Sequence, residues 1–377
     1  MRTLSHLDQI AFADLCSKAF DGKSDRRFPE NGNFVKQKRG RREYFYYKGY
    51  KRAVEDAPGK HSLTYVGPVD DEKVRGLVEN FGRDKGFYRI RRELIAKLRR
   101  SGLPAPTPIE GRILEAFSSA DAWNSVVLVG TLAYQTYSGP LGVLLDEAEY
   151  RTQDADFAEF FLPPGREMID LPGLLEGIDP TFEPVFHPSE SSIPVGFCNS
   201  TGYKVELLVP PGRARTSVYP SRVMRTMGAQ VLKFLDFLVK EPIRSVALYD
   251  GGVPVVVPAP ERYAVHKLIV ACLRASHDRA RIAKDIAQCS AIIEAKRLAG
   301  ATVDLGMAWT EAHDRGPRWR RHLALGAERL SGDRKAILED GIRRIARIEC
   351  RDPGPYIPWL DPADDRPTDE TGAGPEP

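Results

Sequence analysis

Asp154 and Asp156 stand one residue apart in Thr152-Gln153-Asp154-Ala155-Asp156-Phe157-Ala158. On a strand, residues i and i+2 project to the same side, so the two carboxylates would stand together. Like charges on one face repel, and burying them is costly unless a cation lies between them. A divalent ion is the natural compensation, and Mg2+ takes a few carboxylates plus substrate phosphate oxygens. Taken alone, the pair is equally at home on a solvent-facing edge or turn. A third acid, Glu206, interrupts the apolar pattern Lys204-Val205-Glu206-Leu207-Leu208-Val209. Val205, Leu207 and Val209 take one face, and Glu206 the other. A charge so placed wants a partner. A neighbouring arginine would serve, and so would a metal site shared with the aspartate pair. Gly130-Thr131 follows the β-branched run Ser125–Val129. Where a strand gives way to a helix, the first N–H groups are unpaired and carry partial positive charge. Glycine lets a ligand approach that backbone, a geometry that suits phosphate. Strand-Gly-Thr-helix is also common packing.

The elements that must position these residues follow from periodicity. Alternation and β-branched runs predict strands at 125–129, 155–160, 185–187, 203–209, 243–249 and 253–257, with helices at 167–177 and 221–238. This is a mixed α/β region. Ahead of it, Leu4, Leu7, Ile10, Phe12 and Leu15 mark the core-facing side of a short amphipathic helix. Tyr44 to Tyr47 alternate as a strand would. Long and short helical patterns cover 70–101 and 109–120. From Pro260 onward the chain reads as helices at 260–275, 277–299, 302–314, 317–330 and 333–348. Residues 361–377 hold six acids, one arginine and four prolines, a composition that buries no core and predicts disorder.

We therefore expect an α/β (α+β) domain with a mixed sheet at 106–258. A basic, aromatic and mostly helical region at 1–105 would precede it. An all-helical domain at 259–350 and an acidic tail at 351–377 would follow. The 377-residue chain exceeds the usual size of one domain.

The formal charge of +3 conceals an uneven spread. Residues 21–60 carry twelve Lys/Arg against six acids, residues 83–100 carry eight against two, and residues 361–377 have a net charge of −5. A basic body with an acidic tail suits a polyanionic acceptor such as RNA, although aromatics turned into the core beneath a solvated basic face would give the same sequence. Five cysteines without a CxxC pair support neither a disulfide framework nor a zinc site. No apolar run approaches the length of a membrane span, and no secretory segment begins the sequence, so a cytoplasmic protein without a membrane partner is expected.

The order Gly-Thr after a strand, D-x-D on a strand, then a lone acid on a later strand resembles the DNA-polymerase-β-like nucleotidyltransferase superfamily. More narrowly, VLVGTLAYQTYSGPLGV, TQDADFA, VELLVP and PERYAVHKLIVACLR resemble the GSU2403-type nucleotidyltransferase-fold family, related to AbiEii-type toxins. The likeness covers about residues 70–300. It implies that Asp154 and Asp156 hold divalent ions, Mg2+ or Mn2+, that bridge an NTP and the attacking hydroxyl. Glu206 would bind the ion beside the nucleophile or accept its proton, and Gly130 and Thr131 would hold the β- and γ-phosphates. Lys267, on the helix after the palm, would offer a cation to the triphosphate. The acceptor would be an RNA end, such as that of tRNA, or a protein side chain, and a partner protein is compatible with this reading. The interval of 24 residues from Gly130 to Asp154 is longer than in many members of the superfamily. Two other readings stay open: a sugar-nucleotide glycosyltransferase using the D-x-D, and a non-catalytic scaffold that binds nucleic acid or protein.

Overall fold

The computed structural model describes residues 1–21, 28, 32–51, 60–145, 152–160, 167–188, 190–212 and 216–359. The expected disordered stretch at 361–377 lies outside them. Two compact units emerge, Met1–Ala259 and Pro260–Pro377.

In the first unit the chain runs β1 (Arg2–Thr3), α1 (His6–Asp21), β2 (Asn33–Arg39), β3 (Arg42–Lys51), β4 (Lys60–Pro68), α2 (Glu72–Arg100) and α3 (Pro108–Ser119). It continues with β5 (Val126–Val129), α4 (Gly130–Gln135), α5 (Ser138–Leu141), β6 (Val143–Leu144), β7 (Asp154–Glu159), α6 (Leu171–Glu176), β8 (Glu183–His187) and β9 (Glu190–Cys198). The last elements are β10 (Lys204–Val209), β11 (Val218–Pro220), β12 (Gly228–Val231), α7 (Leu235–Leu238), β13 (Ile243–Ala247) and β14 (Val253–Val257).

The central sheet has the order β11-β12-β10-β7-β5. β7 and β10 are parallel, while β5 runs antiparallel to β7. β9 pairs with the first half of β10 and β12 with its end. The sheet is thus mixed, as expected. Its core is aliphatic and aromatic: Phe117 of α3 stacks on Phe157 of β7 with centroids 3.7 Å apart.

Three expectations need correction. The region before residue 105 is not helices alone, because β2, β3 and β4 form an antiparallel sheet that falls between α1 and α2 along the chain. The alternating tyrosines signalled β3, but its partners are set by pairing along the chain. The core side of α1 is Ala11, Phe12, Leu15 and Ala19 with Asp8, whereas Leu7 and Ile10 are 69% and 53% exposed. Phe12 is fixed by α5, where a Cβ on Gly139 would lie 2.2 Å from its ring. The helix expected at 221–238 is instead β12 and the one-turn α7. Ser221 explains part of this, since its hydroxyl accepts from the Val223 and Met224 N–H groups and holds a turn.

The second unit matches its sequence pattern closely: α8 (Pro260–Leu273), α9 (Arg279–Leu298), α10 (Thr302–Asp314), α11 (Pro317–Glu328) and α12 (Gly332–Ile348). Pro260 and Pro317 each open a helix, where the missing N–H is no loss. Gly306 and Gly341 let α10 and α12 touch backbone to backbone, since a Cβ on Gly306 would meet Gly341 O at 2.3 Å.

Candidate active site

The strand register brings the three acids to one face. Glu206 on β10 is the direct partner of Asp156 on β7, and Lys204 is the partner of Asp154. Neighbouring strands lie about 4.8 Å apart, so the Glu206 and Asp156 backbones are adjacent and their side chains project alike. Asp154 stands two residues along the same face. All three are half-buried, while Ala155, Phe157, Val205 and Leu207 behind them are buried.

On the other side of Asp156 lies its partner on β5, Val129, and then Gly130. Gly130 has φ +66°, and a Cβ built there would meet Asp156 Oδ2 at 2.2 Å. Glycine is therefore required for two reasons, a left-handed backbone and the Asp156 carboxylate against it. Gly196 plays a similar part beside Glu206: a Cβ there would lie 3.4 Å from Glu206 Cγ and 2.5 Å from Val205 O. Thr131 follows Gly130 in the six-residue α4, and its side chain is buried.

Two further residues join this edge of the sheet. Thr107 and Glu110 form a capping box on α3, in which Glu110 Oε2 accepts from the Thr107 N–H at 2.6 Å. Glu110 is 2% exposed. Burial raises its pKa, the bonds from Thr107 offset part of that rise, and the nearby Asp154 charge adds to it. Tyr203, just before β10, is held by Asn199, whose Oδ1 accepts from the Tyr203 N–H at 2.8 Å. Its ring is 6% exposed, and among the described residues its hydroxyl has no hydrogen-bond partner. Burial holds the phenol protonated, and the charges of Glu110, Asp154 and Asp156 reinforce this. Sequence reasoning missed both residues. The Thr-x-x-Glu spacing of the capping box was readable, but nothing local marked Tyr203.

Asp154 accepts a hydrogen bond from the Thr152 hydroxyl. Among the described residues, no three His, Cys, Asp or Glu side chains are gathered in metal-ligating geometry. Mg2+ does not need such a cage, because one or two carboxylates plus substrate phosphates suffice. The donor chemistry and shared face fit a hard cation. The desolvated Glu110 and the half-buried Asp154 and Asp156 make this edge rich in acids.

Lys267 belongs to the second unit, where its Nζ lies 2.6 Å from Asp285 Oδ1. Arg274 Nε lies 2.5 Å from Asp285 Oδ2, so the two cations share a helix face as their spacing predicts. Burial works against the Asp285 charge, yet Lys267 and Arg274 hold its pKa below the ordinary range.

A nucleotidyltransferase family model matches residues 109–314, from α3 through α10. The match covers more than half of the 377 residues. The chain belongs to this nucleotidyltransferase family. Among solved structures it is similar to an antigenic nucleotidyltransferase-like protein from Paracoccidioides brasiliensis, with 15% identity and a TM-score of 0.30. That alignment covers 58% of this chain and 94% of the other. No curated relative matches the chain. Among the described residues, no helix is long and apolar enough to cross a membrane.

Proposed function

We infer that this is a Mg2+-dependent nucleotidyltransferase of the EC 2.7.7 type, of the GSU2403-type branch, that moves a nucleoside monophosphate from an NTP to an RNA acceptor in the cytoplasm. The observation that carries the reading is the register: Glu206 directly beside Asp156, with Asp154 on the same face and Gly130 packed on Asp156. Asp154 and Asp156 would hold the ion, with Mn2+ as an alternative. A bound ion would neutralise charge on the triphosphate and polarise its α-phosphorus. In the transfer, an acceptor hydroxyl oxygen bonds to the α-phosphorus, the bond to the β-bridging oxygen breaks, and pyrophosphate leaves. Glu206 is on the outer flank of the pair, suited to receive the acceptor's proton. Because the Thr131 side chain is buried, phosphate contact falls to the backbone N–H groups of the Gly130–Thr131 turn. Lys267, already paired with Asp285, serves the helical unit.

The test is label transfer from each α-³²P-NTP to bacterial RNA with Mg2+. Asp156→Ala and Asp154→Ala should each lower transfer by about 100-fold or more, as loss of a preorganised electrostatic group does. Undiminished transfer in both variants would remove the assignment. Label on protein rather than RNA would move the acceptor.

A further inference from the structure

Strand alternation divides the aromatics of β2–β4 into two sets. Phe34 and Tyr47 turn toward α2, where their centroids lie 4.9 and 5.9 Å from Phe81. Gly67 closes this contact, since a Cβ there would lie 2.6 Å from Val74 Cγ2. Tyr44, Tyr46 and Tyr65 occupy the opposite face. The Tyr65 ring stands 5.8 Å from Tyr44 and 5.6 Å from Tyr46, and Tyr65 is 54% exposed. Register places Gln37 beside Tyr44, and Arg39 beside Arg42, on that same face. Arg39 lies over the Tyr46 ring at 5.3 Å. Across residues 33–51 and 60–68 there are eight Lys/Arg and one acid, Glu43.

Such a face is costly to leave bare, because like charges on neighbouring strands repel and the Tyr65 ring and part of Tyr44 meet water, although Tyr46 is 7% exposed. An acidic protein would answer the charge but has no special use for flat, clustered rings. A duplex would answer the charge while keeping its bases stacked inside. A single strand offers phosphates at cation spacing and free base faces for stacking. RNA adds a 2′-hydroxyl, which Gln37 can hydrogen-bond.

We propose that the face of β2–β4 turned away from α2 binds single-stranded RNA, stacking bases on Tyr65 and Tyr44 and holding phosphates with Arg39 and Arg42. The proposal deepens the reading of RNA as the acceptor and rests on it. Binding is measured without NTP or Mg2+, so it can fail separately from transfer.

The experiment is fluorescence anisotropy of a labelled single-stranded RNA with the full chain over a salt series. Tyr65→Ala and Tyr44→Ala should each weaken binding about 5- to 150-fold, the usual range for losing one stacked base. Tyr65→Phe should retain affinity, and thermal melting should show that the variants stay folded. Arg39→Ala should reduce the salt slope by about 0.7, as loss of one phosphate contact to a single strand does. Arg347→Ala, which removes an exposed charge on α12, should leave that slope unchanged. Asp156→Ala should bind RNA as the native chain does, even though it cannot transfer. The proposal is overturned if folded Tyr65→Ala and Tyr44→Ala bind normally, or if Arg347→Ala matches Arg39→Ala. Equal affinity for duplex RNA, for DNA of the same sequence or for an acidic peptide would overturn it as well.

Discussion

In the helical unit, Asp285 is buried between two cations that the chain itself provides. In the sheet unit, Glu110 and Asp154 lie near each other; Glu110 accepts from the Thr107 N–H and Asp154 from the Thr152 hydroxyl, and neither forms an ion pair among the described residues. The contrast extends further. Lys296 joins Glu261 and Asp304, each at 2.7 Å, and Arg262 meets Glu311 at 2.7 Å. The pKa of Glu294 is lowered, first by its bond from Arg297 and also by the charge of Arg334. In the sheet unit, burial raises both Glu110 and Glu159, the latter despite the Ser221 hydroxyl on its carboxylate and the charge of Arg222. Buried charges paired inside the chain build a fold. Buried or half-buried acids that lack an internal cation cost stability, and a bound cation would repay that cost. The difference separates Asp285 from Glu110 and Asp154 without reference to any motif; elsewhere in the sheet unit Asp8 has Lys97 beside it, and Asp179 is held below the ordinary range.

The largest test of that distinction is Asp285→Ala. It would leave Lys267 and Arg274 facing each other with no counter-charge. Breaking a buried ion pair from one side costs about 3–5 kcal/mol. Urea unfolding of the full chain should show this loss at neutral pH. A change below about 1 kcal/mol would mean that the triad is solvated in solution and that the two units do not differ as described.

Glu110→Gln should act in the opposite direction. Glutamine still closes the capping box, so the α3 terminus keeps its bond. Removing the desolvated charge should stabilise the chain by about 1 kcal/mol at neutral pH. The pH dependence follows from the raised pKa. Between the ordinary glutamate value and the raised one, the native state holds the proton longer than the unfolded state. Native stability therefore falls as pH rises through that window. The gain from Glu110→Gln should appear above the window and vanish below it. Asp285 has the reverse sign, because its pKa is lowered. Its contribution is present above the ordinary aspartate value and is lost as pH falls through the depressed one. Melting curves of native, Glu110→Gln and Asp285→Ala chains from acid to neutral pH check both signs together.

How much of this was legible in the sequence depended on how local the cause was. The helices of the second unit were readable because 3.6-residue periodicity and proline starts are local properties, and Thr302–Asp314 matches its expected span. The strands of Asp156 and Glu206 were readable from alternation, and so was the shared face of Asp154 and Asp156, but Glu206 joins them only through the β7–β10 register. The strand β9 was not, because Pro194 argues against a strand; it sits where the β8–β9 register shifts. The segment at 221–238 misled because Val223, Met224 and Met227 are spaced like a helix face, while β12 exists through its pairing with β10 and β11. Gly130 shows the same limit at the site. Its sequence context pointed to phosphate, whereas its contact with the Asp156 carboxylate depends on pairing with a strand that begins 24 residues later.

Tyr203→Phe is the smallest effect and the finest probe of the comparison. Among the described residues the buried hydroxyl has no hydrogen-bond partner, and it lies beside Glu110 and Asp154, which form no ion pair there. A buried polar group left unsatisfied costs about 1–3 kcal/mol, and part of that cost disappears when the group is removed. Phenylalanine keeps the ring and its packing against the sheet. The expected outcome is a chain as stable as the native one, or more stable by up to about 1 kcal/mol. If Tyr203→Phe instead destabilises by more than about 1 kcal/mol, the hydroxyl donates to Glu110 or Asp154 in solution. The acids of the sheet unit would then be satisfied internally, like Asp285, and the argument for an external cation at that edge would lose its support. Repeating the melt with Mg2+ separates the cases. An ion held by Asp154 and Asp156 should raise the melting temperature of native and Tyr203→Phe chains alike, and should not raise that of Asp156→Ala.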